Sequence, residues 1–337
     1  MGIPLQQTKL WHSFLTDLGE TSFFHTETAF TYLAILKKTP FGDYLYCPYG
    51  PYSDTESGFK RALEALKTLA KSKSAIFIRI EPQTPQIASK ALINANAKKV
   101  LDLVPSHTML LDLSPSEDQL IANFSQTTRN RFNTSKKRGI TVTTSKNESD
   151  LAHLIKFQAG VARSRHFHAF SPKYLKTELA QPFATLYLAH FSAPTQNNTS
   201  PNSQNRTQVS SISEPPQDSE VVGASLFFDH ADTRFYMQSG TDLDPKYKNL
   251  SANVSILGTA ILDAKRKGLK FFDFWGIAPE NAPKNHPWIG FTKFKKTFGG
   301  FPVAYCGTHD IILNPIKYHL YQSARKLNRL ARKLIKN

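Results

Sequence analysis

Cysteine is nearly absent: Cys47 and Cys306 are the two in 337 residues. Two thiols are too few for a disulfide framework or a cysteine-built metal site. Long apolar runs are missing too, and no stretch approaches the roughly 20 residues a helix needs to cross a bilayer. The opening MGIPLQQTKLWHSFL has no basic segment leading into an apolar one, so no signal peptide is expected. Gln6 stands where a myristoylation signal has Ser or Thr. A cytoplasmic protein is the expectation. The phosphate loops G-x-G-x-x-G and G-x-x-x-x-G-K-[ST] do not occur, nor do H-E-x-x-H and G-x-S-x-G. Neither RKGLK nor KRGIT supplies the Arg/Gln-x-x-Gly-x-Gly/Ala pattern of a coenzyme A pyrophosphate site. His166 and His168 read as surface histidines rather than metal ligands.

Acidic residues are scarce beside basic ones, 26 against 42, and the net charge is +16. That excess favours an anionic partner: nucleic acid, a phosphate-bearing substrate or an anionic membrane. Hydrophobic residues make up 40% and aromatics 12%, which is a globular composition. The length suits two domains, each with its own core.

Short apolar runs alternate with helical patterns. DYLYCP, SAIFIRI and HTMLLDL read as strands, and SGFKRALEALKTLAKSKS as an amphipathic helix. Ser114, Pro115 and Glu117 predict a capped helix start, with the helix running on to Gly139. ITVTT, ATLYLAHF, VVGASLFFD, RFYMQSG and LKFFDFWG follow as strands, with FPVAYCG as the last. Helices are expected at ESDLAHLIKFQAGVARS, at SPKYLKTELA with Ser171 as cap, and at ANVSILGTAILDAKRKG. Residues 192–220 are almost all Ser, Asn, Gln, Pro and Thr, a composition expected to form a disordered loop between two strands. The alternation argues an α/β (α+β) class with mixed sheets. No residue-level repeat relates the halves.

Two basic segments stand out. In WIGFTKFKKTFGG (Trp288–Gly300), helical spacing puts Phe291, Phe294 and Phe298 on one face. Lys295 lies at the edge of that face, so one lysine is held against the core while others are solvated. The closing NPIKYHLYQSARKLNRLARKLIKN reads as a basic helix. Its apolar stripe is Leu320, Leu327 and Leu334 with Ala324 and Ala331. Either the stripe packs on the body, or the helix is a surface for RNA phosphates or anionic lipid heads.

Three stretches together resemble the Fem family (FemA, FemB, FemX), the aminoacyltransferases that build peptidoglycan cross-bridges. They are VPSHTMLLDLSPSEDQLIANFSQTTRNRF, then FYMQSG with FFDFWGI, then GFTKFKKTFGG through VAYCGTHDIILNPIKYHLY; LYCPYGP is a weaker fourth. The resemblance implies two tandem acetyltransferase-like (GNAT-type) domains, at 1–145 and 146–312, with the basic helix at 313–337. The family's long coiled-coil arm has no counterpart here.

The resemblance also implies transfer of an amino acid from aminoacyl-tRNA, as co-substrate, to an amine of a nucleotide-linked or lipid-linked muramyl peptide. It implies no further cofactor and no metal. The family's catalytic Phe-Lys pair matches Phe294 and Lys295. Lys293 and Lys296, and Arg325 and Arg329 of the basic helix, are the expected tRNA contacts. Tyr236 matches a tyrosine of the family's substrate groove, with core packing as the alternative; Asp273 is a candidate to orient the acceptor amine, with a buried carboxylate paired for structure as the alternative. The family's diphosphate-binding arginine and lysine fall at Phe170 and Ala34 in this sequence. Arg163 with Arg165, and Lys37 with Lys38, are the expected replacements. Contact with the inner face of the membrane is a further expectation. An acyl-CoA-dependent N-acyltransferase and a non-catalytic RNA- or membrane-binding protein stand beside this reading.

Overall fold

The computed structural model describes residues 2–165, 169–193, 212, 214–215 and 218–334, with backbone alone at 164–165 and 328–334. Most of the low-complexity segment 192–220 therefore lies outside the described residues. The chain forms two compact units, residues 1–106 with 304–337 and residues 107–303.

The first unit opens with α1 (Lys9–Asp17), then β1 (Ser22–Glu27), β2 (Phe30–Lys37) and β3 (Tyr44–Cys47). Next come α2 (Glu56–Ser72), β4 (Phe77–Ile80), α3 (Pro85–Asn94) and β5 (Lys98–Lys99). The second unit holds β6 (His107–Asp112), α4 (Glu117–Ala122), α5 (Gln126–Asn133), β7 (Ile140–Ser145), α6 (Glu148–Arg165) and α7 (Pro172–Ala180). It continues with β8 (Ala184–Phe191), β9 (Glu220–His230), β10 (Thr233–Thr241), α8 (Ala252–Arg266), β11 (Phe271–Gly276), α9 (Ile289–Lys296) and β12 (Phe301–Ala304). The chain then returns to the first unit as β13 (His309–Ile312) and α10 (Pro315–Leu334).

The two sheets run β1-β2-β3-β4-β13-β5 and β12-β6-β11-β10-β9-β8-β7. Each contains an antiparallel meander followed by a helix-linked parallel pair. In the first unit α2 joins β3 to β4, and in the second α8 joins β10 to β11. The halves are thus related in topology where no residue repeat shows it. The strand beside each crossover pair comes from the other end of the chain's order: β13 pairs with β4, and β6 with β11. This exchange corrects the expected division at 145. Residues 107–145 belong with the second sheet, and β13 (His309–Ile312) with the first.

In the second unit, α8 covers one sheet face. Phe227, Tyr236, Phe272 and Phe274 pack there with Val254, Ile256, Leu257 and Ile261. Gly258 allows α5 to close on α8, since a Cβ there would sit 2.3 Å from the Phe132 ring. Helix α6 lies on the other face, where a Cβ at Gly240 would meet Phe157 at 2.7 Å. Arg234 is buried with Asp229 and Asp263, and Tyr187 donates to Asp263.

Three local expectations change. The helix expected from Ser114 starts at Ser116, whose side chain forms a capping box with Gln119. It then breaks, and Ser125 caps α5. The break lets Phe124 enter the core between Phe132 and Phe298, at ring separations of 5.9 and 5.1 Å. FPVAYCG is not the last strand, because β13 follows it.

The C-terminal helix does not pack by its leucine stripe either. Tyr318 and Tyr321 face Ile76 and Phe77, while Leu320 and Leu327 are 54% and 66% exposed. The tyrosines win because Tyr318 donates to Asp310 (2.8 Å), whose carboxylate also accepts twice from Arg79 at 2.7 Å. That buried pair needs its remaining acceptor capacity filled, and Leu offers no donor.

Candidate active site

The KFKK segment forms the end of α9, and the structure separates its lysines. Lys293 and Lys296 are exposed, whereas Lys295 is 9% exposed. Thr292, one turn earlier on the same face, is buried too. Its hydroxyl donates to Trp288 O and accepts from Ala278 N, both at 2.8 Å, which ties α9 to the segment after β11. The Lys295 Nζ donates to the carbonyls of Gly276 (2.6 Å) and Trp275 (3.3 Å).

Those carbonyls reach Lys295 because β11 is distorted at its end. The pairing with β6 runs from Asp273 opposite Leu110 to Gly276 opposite Thr108, so β11 carries an extra residue there. Trp275 adopts the left-handed conformation at φ 62°, unusual for a residue with a Cβ. Asp273 holds the distortion. It accepts from Trp275 N at 2.6 Å and from the Thr108 hydroxyl. Such a backbone geometry costs about 1–3 kcal/mol and persists where surrounding contacts impose it.

Burial sets the charges. It raises the Asp273 carboxyl to about 6, partly offset by Thr108, Trp275 N–H and the Lys295 charge. It lowers the Lys295 ammonium to about 8, with Asp273 pulling the other way. At neutral pH Lys295 remains mostly a cation, in a setting where a fixed charge acts far more strongly than in water. An ammonium has three donors, and two are directed at carbonyls. Among the described residues the third has no acceptor, which leaves it able to meet an oxyanion.

Asp273 follows the structural alternative: 3% exposed, with two donors on its carboxylate, it shapes the β11 turn. Tyr236 follows the core-packing alternative. Its hydroxyl donates to Asn253 (3.1 Å) and its ring stacks on Phe227 in the core. By alternation, Phe272 and Phe274 share Tyr236's face of the sheet, and Asp273 points to the other. Phe294 is half-buried, edge-on to Phe298 at 5.4 Å. Phe291, expected on the packed face, is 46% exposed, because Thr292 and Lys295 form the buried edge of α9.

Of the expected diphosphate ligands, Lys37 and Lys38 belong to the first unit, and Arg163 and Arg165 to α6 of the second. Arg163 is exposed on α6, and the Arg165 side chain lies outside the described residues. Phe170, at the family's arginine position, stacks on Tyr174 at 4.8 Å. Lys37 pairs with Glu20 at 2.8 Å in the first unit, Lys38 is exposed, and Ala34 is fully buried in β2. Arg325 lies over the Tyr321 ring at 5.6 Å, and the Arg329 side chain is outside the described residues. Sequence reasoning missed Thr108, Trp275 and Thr292. The first and last carry no motif, and their roles arise from a strand pairing and a helix docking. Among the described residues, no group of three or more His, Cys, Asp or Glu could hold a metal ion. Among the same residues, no helix is long and apolar enough to cross a membrane.

Comparison with known proteins bears on this geometry. Residues 190–326, which contain β11 and α9, match the model of the FemAB family. The crystal structure of FemX superposes with a TM-score of 0.77 at 17% identity, covering 94% of each chain. The C-terminal domain of a putative lysylphosphatidylglycerol synthetase from Agrobacterium fabrum is similar at TM-score 0.59 and 10% identity, covering 96% of this chain and 93% of that one. L-PGS from Bacillus licheniformis is similar at 0.56 and 11%, covering 90% of this chain and 87% of that one. Comparison of the sequence with curated proteins found no match. The segment that carries Lys295 thus resembles the FemAB family in sequence, and the fold along 94% of the chain is similar to that of FemX.

Proposed function

We propose that this protein is a peptidoglycan bridge-forming aminoacyltransferase, which takes an aminoacyl group from aminoacyl-tRNA and joins it to an amine of the stem peptide. The observation that carries the reading is the treatment of Lys295. Of the three lysines within four residues, this one alone is buried, desolvated and aimed by two backbone carbonyls.

The chemistry follows from that cation. The acceptor amine attacks the ester carbonyl carbon, and negative charge collects on the carbonyl oxygen. The bond to the ribose 3′-oxygen then breaks, and the proton lost by the amine ends on that leaving oxygen. Lys295 stabilises the oxyanion and the departing oxygen. Losing one such donor typically costs about 3–4 kcal/mol of transition-state stabilisation. Phe294 walls the site beside it. Lys293 and Lys296, exposed on the same helix, contact tRNA phosphates, and the excess of basic residues suits two polyanionic substrates. Thr108 and Asp273 act through the β11 turn, as positioning residues.

The test is transfer of radiolabelled amino acid from charged tRNA to nucleotide-linked and lipid-linked stem peptides, with wild type, Lys295→Ala and Lys293→Ala. The expected result is transfer with one acceptor, lost by roughly a hundredfold or more in Lys295→Ala. Lys293→Ala should instead weaken tRNA binding and make it less salt-dependent. Transfer untouched by Lys295→Ala would keep the activity and remove this mechanism. Absence of transfer from every charged tRNA, with transfer from acyl-CoA donors, would reassign the donor.

A further inference from the structure

We propose that the outward face of α10 docks on an anionic lipid surface. The inward face of this helix is occupied: Tyr318 and Tyr321 are buried against Phe77, and Tyr318 donates to Asp310. At 100° per residue, Ile316, Leu320, Ser323 and Leu327 fall within about 60° of one another. Tyr318 and Tyr321 lie about 140–200° around from Ile316. The outward line is exposed throughout, with Ile316 at 77%, Leu320 at 54% and Leu327 at 66%. Three large aliphatics thus form a solvent-facing row on a helix that is already anchored by its other side.

The residues beside that row choose the occupant. Helix α10 carries six Lys and Arg and no Asp or Glu, and the described Lys317 and Lys326, both exposed, flank the aliphatic line on opposite sides. An apolar row bordered by cations suits a helix lying in the plane of a bilayer, with aliphatic chains among the acyl tails and ammonium groups at the anionic heads. RNA fits less well, because phosphates use the cations and leave the aliphatic row without a partner. A second copy fits less well too, since two such helices would bring like charges together with no acidic residue on either. The inference uses no feature of Lys295 and stands apart from the proposed transfer reaction.

The test is co-sedimentation of the full chain with vesicles of phosphatidylcholine alone and with about 30% phosphatidylglycerol added. Binding to the anionic vesicles alone is expected, weakening as salt is raised. In Leu320→Glu/Leu327→Glu the partition coefficient should fall by about tenfold or more. Both side chains are exposed, so the melting temperature should not move, which separates loss of docking from loss of fold. Four outcomes would overturn the proposal: no binding to either vesicle, equal binding to both, binding unchanged in the double variant, or a dimer of the wild type that the double variant dissociates. A filter-binding arm with uncharged tRNA is run in parallel. Equal loss of tRNA and vesicle binding in the double variant would also overturn it, in favour of an RNA surface.

Discussion

Replacing Lys295 by Met should abolish transfer and yet change the pH dependence of stability in a direction that simple damage would not. The side chain keeps its length and loses its charge. Folding lowers the ammonium from 10.5 to about 8, which amounts to an electrostatic cost of about 3 kcal/mol at neutral pH. Met removes that cost but leaves the carbonyls of Trp275 and Gly276 without their donor, at about 1–3 kcal/mol each. The two effects partly cancel, so stability at pH 7 should shift by no more than about 3 kcal/mol.

The decisive difference is the slope. Between pH 8 and 10.5 the unfolded chain still binds the proton that the folded chain has released. Wild-type stability therefore gains about 1.4 kcal/mol per pH unit from this group across that window, and the Met variant gains nothing from it. Urea unfolding of both proteins, followed by circular dichroism and tryptophan fluorescence at pH 7, 8, 9 and 10, reads the difference; other titrating groups cancel between them. The wild-type advantage should grow by roughly 3 kcal/mol over the series. Parallel curves would refute the reasoning, because Lys295 would then keep an ordinary ammonium and lack the desolvated field proposed for catalysis.

The same group sets a pH limit on activity: transfer by the wild type should fall above about pH 8 as Lys295 loses its proton, and Lys295→Arg should retain whatever activity it has to higher pH. Thr108→Val removes a donor to Asp273, raises that carboxyl further and weakens its hold on the Lys295 charge. Its alkaline activity limb should move to lower pH, with a stability loss of about 1–3 kcal/mol by urea unfolding. Glu178 is buried and raised to about 8, so between about pH 4.5 and 8 the unfolded chain ionises while the folded chain holds its proton. Stability falls with rising pH across that window, and Glu178→Gln should flatten the dependence in the same assay. Asp310→Ala leaves the Arg79 guanidinium buried without its carboxylate and should destabilise the chain by about 3–5 kcal/mol, seen as a lower urea midpoint.

Some local structure was legible in the sequence. The GFTKFKK spacing marked Lys295 as the lysine at the packed edge, and α9 buries it. Ser171 and Pro172 marked the start of α7, where Ser171 accepts from Tyr174 N. Gly268 marked the end of α8 and takes φ 77°. These signals depend on a few neighbouring residues, so the sequence carries them directly. The stripe of α10 left two readings open because periodicity reports that a helix has an apolar side, not which side meets the body. There an aromatic pair with a hydrogen-bonding hydroxyl out-competed the leucines.

Sequence by itself determined the mixed α/β class, most helix and strand positions and the excess of basic residues. Hydrophobic period, caps and composition act over one or two turns of chain. Tertiary structure decided the rest. The pairing of β6 with β11 and of β13 with β4 joins residues far apart in the chain and moves the unit boundary to 106. That same pairing creates the extra residue in β11, turns Trp275 and Gly276 toward α9, and places Thr108 on Asp273. A lysine becomes a desolvated cation only when groups from three separate segments close around it, and no local pattern encodes that meeting.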